Sequence, residues 1–231
     1  MSWNLNDILK LSSKSYDFIY IRDPFTNPSI GPNELRSKLV AIIESLSAKK
    51  IVDNIYAVSD IYYEDKWTQY QDYSKFMPET RLLEPGDEAN QSWFVKKRMS
   101  SRSKGVVFDT STIAGNHDEY IIQSRMKIIT EYRVYSVLGE IITQAGQKAS
   151  KTETNARTTV LDVETLPNEV ITFAKNIEKI NKFDFVGYDI AKLESGDLKL
   201  IEANRGPQFA GYYRESGVNL ASLFLEKLNN N

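Results

Sequence analysis

An α+β fold is predicted for this 231-residue chain from three features of its sequence. Strand and helix patterns alternate irregularly, not in the strict order of a doubly wound parallel sheet. Several neighbouring strand patterns are joined by short turns, which favours antiparallel pairing. The clearest pair is residues 183–204, FDFVGYDIAKLESGDLKLIEAN, where two apolar runs flank a Glu-Ser-Gly-Asp turn.

Taken in order, residues 16–22 (YDFIYIR) are aromatic and β-branched and read as a strand. Residues 23–32 hold three prolines and a glycine and read as a loop. Leu35, Leu39, Ile42, Ile43 and Leu46 recur at helical spacing, which predicts an amphipathic helix over about 33–47. Residues 50–53 read as a short strand that closes a β-loop-α-β unit. Residues 65–76 read as a helix stopped by Pro78. A strand over 93–98 leads into the polar loop 100–105 (SSRSKG) and a strand over 106–108. Residues 119–123 (EYIIQ), 132–138 and 140–144 read as strands, the last two hinged at Gly139. Val170, Phe173, Ala174, Ile177 and Ile180 place a helix over 166–180, with Pro167 near its start. The hairpin follows, and a short helix over 220–228 closes the chain.

Hydrophobic residues make up 41% of the chain, enough for one large core or two interlocked ones. Lys and Arg number 29 and Asp and Glu 31, so no basic field marks a nucleic-acid or membrane partner. The absence of cysteine excludes disulfides, thiolate metal sites and a Cys nucleophile. The one histidine, His117, lies in a polar stretch, which argues against a Ser-His-Asp triad or a multi-histidine metal site. No apolar run is long enough to span a bilayer, and MSWNLNDILK lacks the regions of a signal peptide. A cytoplasmic location is the expectation.

With Ser195 and Gly196 at the hairpin tip, paired residue numbers sum to 391, and Asp189 faces Glu202. Asn204 lies two residues beyond Glu202 and shares its face. Two adjacent carboxylates repel unless a cation lies between them. Hard oxygen donors suit Mg²⁺, which keeps waters and takes further ligands from nucleotide phosphates. A solvated outer sheet face carries the same residue types, so the hairpin alone leaves both readings open.

Other motifs join the hairpin in order. Asp65-Lys66 opens a helix that leads to Met77-Pro78-Glu79-Thr80. Phe94-Val95-Lys96 runs into the 100–105 loop. Ile121-Ile122-Gln123 and Glu131-Tyr132-Arg133-Val134 come next, ahead of Gly187-Tyr188-Asp189 and Ile201-Glu202-Ala203-Asn204. In this order the motifs resemble the ATP-grasp superfamily, in particular carboxylate–amine ligases such as glutathione synthetase and the ribosomal-protein glutamate ligases. The resemblance runs from about Tyr16 to the C-terminus. It implies an ATP-grasp fold of two α+β lobes with the nucleotide between them, preceded by a shortened N-terminal β-α-β unit. The implied boundaries are 1–64 for that unit and 65–231 for the ATP-grasp domain, with a small lobe over about 80–123 and a large lobe over about 127–231.

The resemblance also implies ATP and one or two Mg²⁺ ions, with Mn²⁺ as a substitute, held by Asp189, Glu202 and Asn204. Glu202 is the implied bridging ligand. Lys66 and Lys96 are similar to phosphate-contacting lysines, and Lys97 stands where the family often has proline. Alternation places Lys96 on the strand face opposite Val95 and Lys97. Ser101, Arg102 and Ser103 belong to a loop suited to close over phosphate. Backbone groups over 123–126, including Gln123, Ser124 and Met126, would read adenine, and Glu131 the ribose hydroxyls. Ser124-Arg125 replaces the acid that the family often carries after the glutamine. Arg133 resembles the arginine that steadies the transferring phosphate, a role suited to its planar fork. Arg157 and Arg205 fall on the substrate side. Arg157 lies in KASKTETNART, over 148–158, which departs from the family's pattern.

The implied reaction activates a carboxylate as an acyl phosphate for attack by an amine, with small-molecule or peptide substrates. A kinase that stops at phosphorylation and a non-catalytic ATP-binding module would share the nucleotide site. The short front leaves the substrate site open, completed by a second copy in a homodimer, or suited to a macromolecular acceptor.

Overall fold

The computed structural model describes residues 15–20, 46–52, 65–99, 106–107, 109–113, 115–148, 160–207 and 209–230. Among them, the strands form three sheets. The first is a parallel pair, β1 (Ser15–Tyr20) with β2 (Ser47–Val52). Parallel pairing is what a crossover between consecutive strands requires. The apolar pattern predicts the second strand from Lys50 and the preceding helix as far as Ser47. The ladder instead begins at Ser47, opposite Ser15. Ser47 and Ala48 carry no strand preference of their own, so only the pairing places them. Residues 33–45 of the predicted helix lie outside the described residues.

Helix α1 (Lys66–Tyr73) starts where Asp65 caps it, its carboxylate accepting from the Trp67 amide at 2.9 Å. The helix ends at Tyr73, three residues short of the predicted Phe76, because the Tyr73 carbonyl takes the amides of both Phe76 and Met77. That turn sets Phe76 edge-on against Phe173, with ring centroids 5.5 Å apart. The chain then enters an antiparallel sheet of β3 (Thr80–Leu82), β4 (Trp93–Lys97), β5 (Val106–Val107) and β6 (Tyr120–Ser124). Their spatial order is β3-β6-β4-β5, and Leu83, Val95, Ile113 and Ile122 form its core.

The larger sheet holds β7 (Ile128–Val137), β8 (Glu140–Ile141), β9 (Gln144–Lys148) and β10 (Val160–Thr165). After helix α2 (Asn168–Glu178) it gains β11 (Phe185–Leu193) and β12 (Leu198–Asn204). The order is β10-β9-β7-β11-β12, with β8 paired to β7. Leu138 and Gly139 both take positive φ, 51° and 81°, the two-residue turn whose twist matches a hairpin. The predicted strand over 140–144 is in fact split, and β9 and β10 have no counterpart in the sequence reading. Gln144–Lys148 reads QAGQK, without a β-branched or aromatic residue, so its strand is imposed by the β7 and β10 ladders.

Both faces of this sheet are covered. Val170, Ala174 and Ile177 of α2 are fully buried, against a face that includes Val134, Tyr188, Ile190, Leu200 and Ala203. Burying each Val or Ile contributes about 1.5–3 kcal/mol. On the opposite face, Tyr135, Val137 and Phe185 pack with Tyr212 of α3 (Ala210–Ser216) and with Leu220 and Phe224 of α4 (Leu220–Asn230). Glu131 and Arg133 precede Tyr135 on that face of β7, beyond this packed cluster. No described helix is long and apolar enough to cross a membrane.

Candidate active site

Asp189 lies opposite Glu202 and Gly187 opposite Asn204, as a register sum of 391 requires. Nearer the tip that register fails, with Lys192 facing Leu198 and Ile190 facing Leu200. The turn has three residues, Glu194, Ser195 and Gly196, rather than two. Gly196 takes φ +89° and donates its amide to the Leu193 carbonyl at 2.9 Å, and the Leu193 amide donates to the Asp197 carbonyl at 2.9 Å. A register shift between Asp189 and Ile190 leaves Ile201 as the extra residue and restores the sum. Leu200 and Ala203 can therefore both enter the core against α2, while Ile201 and Glu202 both turn into the cleft.

On its other side β11 pairs with β7, and Asp189 lies opposite Arg133. Their side chains form a largely buried two-point ion pair, Nε to Oδ1 at 2.5 Å and Nη2 to Oδ2 at 2.9 Å. Read along the chain these two residues have separate roles, and the fold joins them. Gly187 makes the room. A Cβ there would lie 2.7 Å from Pro207 Cβ and 3.3 Å from Arg133 Cδ. Asn204 Oδ1 accepts the Gly206 amide at 3.0 Å and so shapes the turn that brings Pro207 over Gly187. Arg205, in the same turn, is buried.

A cavity of about 830 Å³ lies between the two larger sheets. Phe94, Lys96 and Gln123 line it from the small sheet, and Glu131, Ile201 and Glu202 from the large one. Lys66 enters from the start of α1, and the connection from Ser124 to Ile128 closes one end. Of the residues singled out in the sequence, Lys66, Lys96, Gln123, Ser124, Met126, Glu131 and Glu202 thus share one cavity. Arg133, Asp189, Asn204 and Arg205 stand beside it on β7, β11 and the end of β12. Ser101, Arg102, Ser103 and Arg157 lie outside the described residues.

The electrostatics of the cavity are those of two cations set against a partly buried acid. Burial pushes the Lys96 ammonium down to about 8, with Lys66 adding to the shift and Glu202 opposing it. Burial also pushes the Glu202 carboxyl above its ordinary range, Asp189 raises it further, and Lys66, Arg133 and Lys96 hold it back. Lys96 Nζ donates to Gln123 Oε1 at 2.8 Å. Lys97 points the other way and pairs with the exposed Glu119 at 2.9 Å, as alternation requires.

Helix α1 is tied to both sheets. Gln69 Oε1 accepts the Ala203 amide at 3.2 Å. Asp65 receives both Nε and Nη2 of Arg98, and the Arg98 carbonyl accepts the Lys66 amide at 3.2 Å. The sequence reading misses the Asp65–Arg98 pair, because Arg98 reads there as the third cation of Lys96-Lys97-Arg98. Strand alternation, which puts Arg98 on the side of Lys96, is the available signal. In the connection between the sheets, the Ser124 amide donates to the Glu79 carbonyl at 2.9 Å and the Arg125 amide to the Ser92 carbonyl at 2.7 Å. Met126 supplies the next amide along.

The donor set fits Mg²⁺. Glu202 is a partly buried carboxylate whose ionisation is opposed by burial and by Asp189, the condition that a divalent cation relieves. Asp189 is engaged by Arg133, but a carboxylate has about four lone-pair sites and an amide oxygen two. Among the described residues, no group of three or more His, Cys, Asp or Glu surrounds a common point. Two carboxylates and an amide are the sparse protein set that Mg²⁺ uses when phosphates and water complete its shell.

A family of ATP-grasp domains, family 3 of its clade, matches residues 35–227. No curated protein matches the chain. Among solved structures, the ATP-grasp ligase PsnB complexed with a minimal precursor superposes with a TM-score of 0.66 at 15% identity, over 93% of this chain and 77% of that one. PsnB with Mg and ADP superposes at 0.61 and 13% identity over the same shares. The macrocyclase MdnB from Microcystis aeruginosa MRC matches at 0.64 and 16% identity, over 92% and 76% of the two chains. A RiPP-associated ATP-grasp ligase from Chryseobacterium gregarium, in complex with ADP and a leader and core peptide, matches at 0.59 and 15%, over 91% and 77%. At these identities the likeness is one of fold.

Proposed function

The chain belongs to the ATP-grasp domains, in family 3 of their clade, and from that premise we propose that it is an ATP- and Mg²⁺-dependent ligase joining a carboxylate to an amine, with a peptide among its substrates. The observation that carries this reading is the convergence of Lys66, Lys96 and Glu202 on one cavity beside the Arg133–Asp189 pair. Two cations and an acid in a partly buried cleft suit a polyphosphate and its counter-ion.

Lys66 and Lys96 bind the phosphate chain, and the segment 124–126 receives the base, with the Met126 amide as donor. Asp189, Glu202 and Asn204 would hold Mg²⁺, which supplies positive charge to the phosphate oxygens when bound. Arg133, steadied by Asp189, orients an oxyanion of the transferring group through its fork. The substrate carboxylate attacks the γ-phosphorus in line and ADP departs. The amine then attacks the acyl phosphate, loses a proton and expels phosphate. No side-chain nucleophile takes part. The protein contributes position and charge stabilisation.

The peptide class is supported by PsnB, which was solved with a precursor, and by the C. gregarium ligase, solved with a leader and core peptide. The test is incubation with ATP, Mg²⁺ and a panel of peptides rich in Asp, Glu and Lys. Peptide-dependent phosphate release with a product lighter by one water is expected. A phosphorylated peptide would replace the ligase with a kinase, and turnover with free amino acids alone would remove the peptide.

A further inference from the structure

We propose that Gln123 is a positioning residue whose side-chain amide, fixed from behind by Thr80, holds the Lys96 ammonium in the cleft for the phosphates of ATP. The inference rests on the ATP-binding reading above. It gives Gln123 a side-chain role that differs from the backbone contact with adenine implied by its motif.

Three hydrogen bonds run in series through the small sheet. Lys96 Nζ donates to Gln123 Oε1 at 2.8 Å, Gln123 Nε2 donates to Thr80 Oγ1 at 2.6 Å, and Thr80 Oγ1 donates to the Pro78 carbonyl at 2.9 Å. Both ends of this series have fixed polarity. A carbonyl only accepts and an ammonium only donates. The Thr80 hydroxyl must therefore spend its proton on Pro78 and accept from the Gln123 amide nitrogen. That turns the Gln123 oxygen towards Lys96. Gln123 and Thr80 are each at most 3% exposed, so water does not substitute for either. The ladders supply the geometry. Gln123 lies opposite Thr80 on one side and opposite Phe94 on the other, so the amide spans from β3 to β4 across β6.

Lys96 is a desolvated cation near Lys66, a setting that favours withdrawal or loss of its proton. An oriented carbonyl dipole is the contact that keeps it charged. A glutamate at position 123 would hold the ammonium more tightly but would cancel the charge that a phosphate needs. A neutral amide holds Lys96 and leaves the charge intact.

The test is a double-mutant cycle on ATP binding, read by calorimetry with adenosine as a parallel ligand. Gln123→Met should weaken ATP roughly ten- to hundredfold, the range for a buried hydrogen bond to a charged group. Thr80→Val should weaken it roughly two- to tenfold, and Thr80→Ser should restore it. In a Lys96→Met background, Gln123→Met should add less than about twofold, because its effect runs through Lys96. Adenosine affinity should hold in every variant. Additive losses with wild-type ATP binding intact, or an equal loss for adenosine, would overturn the role. A wild-type chain that binds no ATP overturns the reading of the cleft and this role with it.

Discussion

Arg133 meets Asp189 through two hydrogen bonds to two oxygens, a geometry that lysine cannot reproduce. Arg133→Lys keeps a cation in place and removes the fork. Turnover should fall about a hundredfold or more, while ATP affinity stays within a few fold, as initial-rate and binding measurements will show. Near-normal turnover would return Arg133 to a structural ion pair. Glu202 makes a different prediction, because its folded-state pKa lies above its unfolded one. The folded chain then keeps a proton that the unfolded chain has released. Ligand-free stability therefore falls as pH rises through the interval between the two values. Glu202→Gln removes that slope. Its melting temperature without metal should equal or exceed wild type near neutral pH, and Mg²⁺-dependent turnover should be lost. Lower stability with surviving turnover is the opposite pattern and would remove Glu202 from the metal site.

The β11–β12 hairpin presents the proposed metal donors because two irregularities offset each other. Its three-residue tip moves the register by one, and the extra residue at Ile201 moves it back. Glycine enters this element at two positions for different reasons, and alanine at each separates them. At Gly187 a Cβ would strike Pro207 and crowd Arg133. Gly187→Ala should cost roughly 1–3 kcal/mol as overpacking does, and turnover should fall with the displaced Arg133. At Gly196 a Cβ meets nothing within 4 Å, but φ is +89°. Gly196→Ala should cost about 1–2 kcal/mol of backbone strain and leave turnover at the wild-type level. Denaturant midpoints and initial rates on the two variants check both. Equal effects on turnover would mean that Gly187 has no special relation to the site.

At the scale of the whole molecule, the cavity exists because two sheets of different size face one another with α1 bridging them. A ligand bound only by this folded arrangement stabilises it by mass action. At a concentration of about a hundred times its Kd, ATP with Mg²⁺ adds about 2.7 kcal/mol. For a chain of this size, each kcal/mol shifts the melting temperature by about 2–4 °C. A rise of roughly 5–10 °C is expected in a thermal shift assay, and ATP without Mg²⁺ should give less. An unchanged melting temperature at millimolar ATP and Mg²⁺ would remove the nucleotide from the cleft.

Much of this was legible in the sequence because it is local. The period-2 runs of the hairpin, the Asp65 cap, the α2 stripe of Val170, Ala174 and Ile177, and the pairing of Asp189 with Glu202 all follow from side-chain spacing along one or two elements. The order of the motifs carried the family. Tertiary structure decided what depends on residues far apart in the chain. Strand β9 has no propensity signal and exists because β7 and β10 pair with it. The bulge at Ile201 answers a turn length that two apolar runs do not specify. Arg133 and Asp189, 56 residues apart, meet because β7 and β11 are neighbours, and Lys96, Gln123 and Thr80 line up because β4, β6 and β3 are. Spacing fixes which face of an element a residue takes. Which partner that face meets is set by the free energy of packing all the elements together, and no local pattern contains it.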